Sequence, residues 1–96
     1  MKNHKSTSYE EGLMERLKSP EYAANYLKAS LDDGIDNFLN ALRDVAKAYS
    51  FSHVAKKTKL GRESLYKALS KKGNPSISTL NNVLHSVGLK LSVESK

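Results

Sequence analysis

Apolar residues recur every three or four positions along most of this chain, which is the pattern of amphipathic helices. The pattern is clearest over residues 36–49, where the apolar positions are Phe38, Leu39, Leu42, Val45, Ala46 and Tyr49. Asp36 can cap this helix. Earlier in the chain, Ser19 and Pro20 place a capping serine and a first-turn proline at a helix start. We therefore predict one helix over 20–31 and a longer helix over 36–49.

The second half of the chain predicts shorter helices. Ser52 can cap a helix that runs to about residue 58, residues 59–61 turn the chain, and another helix covers 62–70. The sequence Gly-Asn-Pro at 73–75 then breaks the helical pattern. A final helix follows, with its cap at Ser78 or Thr79, its inward face formed by Leu80, Val83, Leu84 and Val87, and a left-handed glycine, Gly88, at its end.

The two ends of the chain differ from the middle. Residues 1–18 are predicted to be a partly disordered arm that carries a short helix with Leu13, Met14 and Leu17 along one side. At the other end, Leu89, Leu91 and Val93 alternate with polar residues, which is typical of a half-buried strand. A lone strand leaves its backbone unpaired, so this one either pairs across a homodimer or is an extended tail.

Length and composition limit the remaining possibilities. The chain has 96 residues, 39% of them hydrophobic, which fits one globular domain that we place at 19–96 behind the arm. It has no cysteine, so disulfides and thiolate metal sites are excluded. No apolar run approaches a membrane span, and the first residues lack the apolar core of a signal peptide. We expect a cytoplasmic protein without membrane association.

The positive charge is concentrated in one part of the chain. Residues 1–34 carry five basic and six acidic side chains, whereas residues 35–96 carry eleven basic and four acidic ones. Seven of the basic residues fall within 56–72, against Glu63 alone. A concentration of one sign on a short segment indicates a polyanionic partner, although a merely solvated basic face is the alternative.

Two short helices joined by a tight turn, the second of them basic and polar, form the pattern of a helix-turn-helix. Val54, Ala55, Thr58 and Leu60 can support the inner side, and Leu65, Ala68 and Leu69 can anchor the second helix. The residues left facing outward are Arg62, Glu63, Ser64, Tyr66, Lys67 and Lys71. The second helix is poor in apolar residues because its other face is available for a major groove.

The stretch GRESLYKALSKKGNPSISTLNNVLHSVGLKLSV, preceded by FLNALRDVAKAY and YLKASLDDGI, resembles the addiction-module antidote (antitoxin) proteins of the Cro and phage-repressor superfamily. The likeness covers residues 20–94, and RESLYKAL followed by GNP is its most diagnostic part. The resemblance implies an all-α, compact five-helix lambda-repressor-like domain, here with a short C-terminal strand. It also implies repression of the protein's own operon and binding of a small RelE/ParE-like toxin encoded beside it.

The turn departs from the family pattern. Lys59 stands where a glycine is usual, and Gly61 stands where a capping serine is usual. A lysine in a left-handed conformation costs about 1 kcal/mol relative to glycine. Replacing a capping serine with glycine costs only a few tenths of a kcal/mol, about 0.3. Neither change prevents the motif, and Lys59 adds a positive charge near the expected phosphates.

Individual roles in DNA binding follow from side-chain chemistry. Arg62 either bonds a guanine edge bidentately or contacts a phosphate, and Glu63 either accepts from a cytosine or interacts with the helix dipole. Tyr66 either contacts DNA or packs against the neighbouring helix, and Ser52 either caps a helix or donates to a phosphate. Lys67 shares one face of the helix with Ser64 and is a candidate for contact with bases or phosphates. The expected phosphate contacts are Lys56, Lys57, Lys59, Lys71 and Lys72.

Catalysis and cofactors are not expected. His4, His53 and His85 have no ligand spacing, and Asp32 and Asp33 precede a glycine at a helix end, so they are interpreted as capping and solubility residues. No phosphate loop or nucleophile motif occurs in the sequence. We expect a binding protein that needs no metal or cofactor.

The sequence leaves three functions open. The first is a dimeric antitoxin that binds double-stranded operator DNA and a toxin. The second is a stand-alone phage-type repressor, and the third is a protein-interaction adaptor on the same fold. The N-terminal segment with Tyr9 and Met14 either contacts the toxin or covers the core of its own domain.

Overall fold

The computed structural model describes the backbone of residues 2–70 and 73–96 and the side chains of residues 9–70 and 73–96. These parts of the chain form six helices: α1 (Lys2–Leu17), α2 (Pro20–Asp32), α3 (Ile35–Tyr49), α4 (Phe51–Thr58), α5 (Arg62–Ala68) and α6 (Ile77–Ser86). No strand occurs among the described residues. The all-α prediction is confirmed, and the prediction of five helices with a C-terminal strand is wrong.

The sixth helix is α1, which the sequence predicted only in part. It has 16 residues, although its mean hydropathy is low, and it packs against α2 and α3. Leu13 and Leu17 are buried in the same core as the rest of the chain, with 9% and 2% of their surface exposed. Tyr9, in contrast, is 66% exposed. Packing of the leucines against α3 explains a helix that local propensity predicts poorly. The predicted division of the chain into an arm (1–18) and a domain (19–96) stays a prediction.

Helix α3 lies at the centre of the fold because its apolar stripe contacts elements on several sides. Leu42, Val45 and Ala46 are almost completely buried, and α3 packs against α1, α2 and α4. Tyr26 of α2 adds a polar link, because its hydroxyl donates to Asp44 Oδ2 of α3 at 3.0 Å. Burial, together with the charge and hydrogen bond of Asp44, raises the pKa of Tyr26 to about 12.

The expected C-terminal strand is not formed. Residues 89–96 are irregular, and no second strand lies within the described ranges to pair with their backbone. Leu89 is partly buried against the core, whereas Leu91 and Val93 are 41% and 98% exposed. The alternating residues therefore do not share one buried face, and the predicted C-terminal strand is wrong. Of the two alternatives, an extended tail packed on the helices through Leu89 is observed, and dimerisation through Leu89, Leu91 and Val93 stays a prediction.

Three of the predicted helix caps are shifted, those of α3, α4 and α6. Helix α3 begins directly after Gly34, without a side-chain cap from Asp36, and α6 is capped by Ser76, whose hydroxyl accepts from Thr79 N–H at 3.0 Å. The start of α2 is as predicted, since Ser19 Oγ accepts from Tyr22 N–H at 3.4 Å. Several serines and threonines stand close together near residue 76, so capping preference alone did not select among them. None of the described helices is long and apolar enough to cross a membrane.

Candidate nucleic-acid interface

Helices α4 and α5 form the predicted pair of short helices, and each is held by one buried stripe. On α4, Val54 is completely buried and Ala55 is 4% exposed, which lets the two helices approach closely. On α5, Leu65 is fully buried, and Leu69, just beyond the helix end, is fully buried as well. The predicted anchoring of the second helix by these leucines is confirmed.

The turn between the helices has a defined hydrogen-bonding pattern. Lys59 adopts the left-handed conformation, with φ 62° and ψ 21°. Its N–H donates to Lys56 O at 3.1 Å, and Leu60 N–H donates to Ala55 O at 3.2 Å. These two bonds define a Schellman motif, in which the left-handed position usually holds glycine. Gly61 then begins α5 with φ 81° and no side-chain cap.

The outer face of α5 is exposed as predicted. Its exposed residues are Arg62, Glu63, Ser64, Tyr66 and Lys67. Lys56, Lys57 and Lys59 are also exposed at the end of α4 and in the turn. Lys71 and Lys72 lie outside the described residues. Ion pairs found among the described side chains involve Lys18 and Lys28, far along the chain from α4 and α5. The lysines on this face are therefore available to an anion.

Ser52 has a different role from the predicted cap. Ser50 caps α4, because its hydroxyl accepts from His53 N–H at 3.1 Å. The exposed Ser52 hydroxyl accepts instead from Arg62 Nη1 at 3.2 Å. The Arg62 guanidinium carbon also lies 5.9 Å from the ring centroid of Phe51. Arg62 is thus directed back across the α4–α5 junction rather than extended freely into solvent.

Tyr66 packs on the neighbouring helix while keeping one part exposed. Its ring centroid is 4.3 Å from that of Phe51, with 33° between the ring planes, and Lys47 Nζ lies 5.9 Å from the Tyr66 ring. Tyr66 is 39% exposed. Of the two interpretations of this tyrosine, packing against the neighbouring helix is observed, and contact with DNA stays a prediction.

Helix α3 contributes two basic residues that the sequence analysis missed. Arg43 borders a shallow depression whose other lining residues are Glu63, Ser64, Tyr66, Lys67 and Ser70. Lys47, one turn after Arg43, lies above the Tyr66 ring. Two basic residues four positions apart share a helix face, so their spacing could have indicated that α3 adds charge to one surface. The Arg43 guanidinium donates to Asn40 of its own helix.

The described side chains of this surface are suited to binding through charge and hydrogen bonds. Among the described residues, no cluster of three or more histidine, cysteine, aspartate or glutamate side chains could hold a metal ion. His53 packs beside Tyr49, with 5.4 Å between the ring centroids. The face formed by α5, the end of α4 and the basic residues of α3, termed the basic face below, presents guanidinium, ammonium, hydroxyl and amphipathic aromatic groups.

Comparison with known proteins assigns the chain to a family. Residues 8–95 match the family described as probable addiction module antidote protein. The chain belongs to this family. The antidote is also 40% identical over 81 residues to an uncharacterized protein of Haemophilus influenzae, an alignment that covers 83% of this chain and 84% of that protein. No solved structure matches the antidote. Membership of this family implies that the partner of the chain is a toxin, without identifying which toxin.

Proposed function

We propose that this antidote binds operator DNA through its basic face and represses the operon that encodes it. The observation that carries the proposal is the division of α5 into two sides, with Leu65 buried and its polar residues exposed. An α-helix with its side chains is about 10–12 Å in diameter, which fits the major groove of about 12 Å width. The exposed side of α5 therefore supplies the groups that enter the groove.

Base reading and phosphate binding are assigned to different residues of the basic face. Arg62, at the start of α5, is the proposed base reader, with Glu63, Ser64, Tyr66 and Lys67 beside it in the groove. The exposed lysines of α4 and the turn neutralise phosphates, which positions the protein without reading sequence. Arg43 and Lys47 extend the phosphate-binding surface onto α3. The same separation predicts which substitutions alter specificity and which alter affinity alone.

The proposal includes a homodimer and a toxin complex. Recognised DNA sites are often paired half-sites about 34–36 Å apart, which a two-fold dimer contacts with two copies of α5. The toxin is proposed to be a small RelE/ParE-like protein encoded beside the antidote, on the basis of the sequence resemblance described above. The antidote acts by stoichiometric binding in the cytoplasm, without catalysis and without a cofactor.

The DNA-binding proposal is tested by comparing Arg62→Ala with Lys57→Ala. Both residues are exposed and basic, so the two variants are matched in charge loss. We expect Arg62→Ala to change the preference at one base pair, at a cost of about 1–3 kcal/mol for the preferred sequence. Lys57→Ala should weaken binding to all sequences alike. Identical behaviour of the two variants would contradict the separation into a base reader and a phosphate contact.

The toxin is identified by isolating the tagged antidote from its native cell at moderate salt with nuclease present. Mass spectrometry should detect a stoichiometric small protein that is encoded next to the antidote and is toxic when expressed alone. Expression of that protein with and without the antidote then measures neutralisation. Recovery of the antidote alone, with DNA binding intact, would contradict the toxin assignment and favour a stand-alone repressor.

A further inference from the structure

Five side chains from three helices form a continuous cluster that extends from the basic face to the start of α4: Lys47, Phe51, Ser52, Arg62 and Tyr66. The lysine lies over the tyrosine ring, the tyrosine packs on Phe51, and Arg62 lies over Phe51 while it donates to Ser52. The cluster links α3, α4 and α5 through contacts between side chains. The basic residues of the cluster, Lys47 and Arg62, also belong to the proposed DNA interface. Phe51 is buried, with 8% of its surface exposed.

We propose that Phe51 and Ser52 are positioning residues that hold the Arg62 guanidinium in the orientation in which it reads a base pair. This inference rests on the proposed DNA binding, because Arg62 is the proposed reader. Phe51 does not contact DNA in this account, since its ring lies beneath Arg62 and Tyr66. Ser52 acts in the same way, through the hydrogen bond that it accepts from Arg62 Nη1.

The physical basis is the cost of ordering an exposed arginine. A long side chain that samples many rotamers in the free protein loses that freedom on binding, so a preordered side chain binds more tightly. The buried ring of Phe51 is a fixed platform for the guanidinium, and Ser52 directs one nitrogen. Arginine has five N–H donors, and Ser52 accepts from only one nitrogen, Nη1. Nε and Nη2 stay available for a bidentate contact with guanine.

A purely structural role for Phe51 predicts a different result, and the chain contains a matched control. Phe38 of α3 is also 8% exposed, and it lies beside the C-terminal residues, among Leu84, Leu89 and Leu91. Phe51→Leu and Phe38→Leu remove the same atoms from sites of equal exposure. If Phe51 served only to fill the core, both substitutions would affect DNA binding alike, through stability alone.

The test begins with selection of preferred duplexes from random DNA by the wild-type full-length chain. Affinities are then measured for the preferred duplex and for a duplex changed at the base pair where Arg62→Ala alters preference. The ratio of these two affinities is termed the discrimination. Loss of a cation–π contact at an exposed site changes a dissociation constant by about two- to fivefold. We expect Phe51→Leu to lower discrimination by about that factor and Phe38→Leu to leave it unchanged, with folding checked by thermal melting.

A double-variant measurement separates positioning from general packing. In the Arg62→Ala background, Phe51→Leu should cause a smaller loss of affinity for the preferred duplex than it causes with wild-type Arg62, because the group that it positions is absent. An equal loss in both backgrounds, or unchanged discrimination in Phe51→Leu with wild-type Arg62, would overturn the inference while leaving the DNA-binding proposal intact. Absence of any salt-sensitive DNA binding by the wild type would overturn both.

Ser52 provides a second variant that does not disturb the core, because its side chain is exposed. Ser52→Ala should lower discrimination at the Arg62-dependent base pair and leave affinity for unrelated duplexes unchanged. Ser52→Thr, which keeps the hydroxyl, should restore most of the discrimination. If Ser52→Ala retains full discrimination, Ser52 is not a positioning residue. An equal loss of affinity for all duplexes would instead identify Ser52 as a phosphate contact.

Discussion

Lys59→Gly should stabilise the antidote while weakening its binding to DNA. Two helices end in the same motif but with different residues at the left-handed position. Lys59 ends α4 with φ 62°, and Gly88 ends α6 with φ 83°, where Leu89 N–H donates to Leu84 O at 2.8 Å. Only the lysine carries a Cβ atom into this conformation, so only that position is strained.

The expected gain follows from two opposing contributions. Relief of the left-handed Cβ crowding contributes about 1–2 kcal/mol, and the greater freedom of glycine in the unfolded chain offsets about 0.5–1 kcal/mol of it. The net stabilisation is about 0.5–1 kcal/mol, which raises Tm by about 2–8 °C for a domain of this size. Lys59→Gly also removes a positive charge from the basic face, so affinity for every DNA sequence should fall.

Urea denaturation and thermal melting measure this effect, with Lys59→Ala as the matched control. The alanine variant loses the same charge but keeps the Cβ atom, so the difference between the two variants gives the relief of strain net of the greater freedom of glycine in the unfolded chain. Gly88→Ala is the reverse substitution. Its added Cβ atom would lie 3.9 Å from Pro20 Cγ, an ordinary contact, so its loss of stability should come from backbone strain and not from a steric clash. If Lys59→Gly is no more stable than Lys59→Ala, the strain argument is refuted.

Three further substitutions test the structure. Ser50→Ala should lower the free energy of unfolding by about 1 kcal/mol, whereas Ser52→Ala should change it by less than about 0.5 kcal/mol; equal losses in urea titrations would argue against Ser50 as the cap. Leu65→Ala should cost about 2–5 kcal/mol because the side chain is fully buried, and a smaller cost by thermal melting would contradict that burial. Tyr26→Phe should cost about 1 kcal/mol at neutral pH, since it removes the bond to Asp44. Because folding raises the pKa of Tyr26 from 10.0 to about 12, the advantage of the tyrosine over phenylalanine should persist below pH 10 and decline as pH rises toward 12. A stability difference between the wild type and Tyr26→Phe that does not change with pH would contradict the raised pKa of Tyr26.

Much of the fold follows from local sequence patterns. The period of apolar residues in α3 matches its buried positions except at Tyr49, which is 45% exposed, because a central helix buries a broad stripe. Ser19 and Pro20 mark the start of α2 without ambiguity. Leu65 of α5 and Leu69 just after it, four positions apart, likewise predict which side of that helix is exposed. Each of these predictions depends on residues that are close together in the chain.

The incorrect predictions depend on contacts between distant residues. The extent of α1 depends on packing of Leu13 and Leu17 against α3, which its polar sequence does not show. The tail alternates as a strand would, yet Leu89 packs on helices and Val93 is almost completely exposed. Alternation predicts a strand only where a partner strand exists. The contribution of Arg43 and Lys47 required knowing that α3 passes beside α5.

The salt dependence of binding to the DNA upstream of the antidote's own gene tests the central proposal most directly. Affinity is measured by titrating labelled duplex between about 50 and 200 mM salt. If each protomer neutralises about four phosphates, the slope of log K against log salt is about −3.6 per protomer, and Lys57→Ala reduces its size by about 0.9. A slope near zero, or equal affinity for unrelated DNA throughout, would contradict operator binding by the basic face.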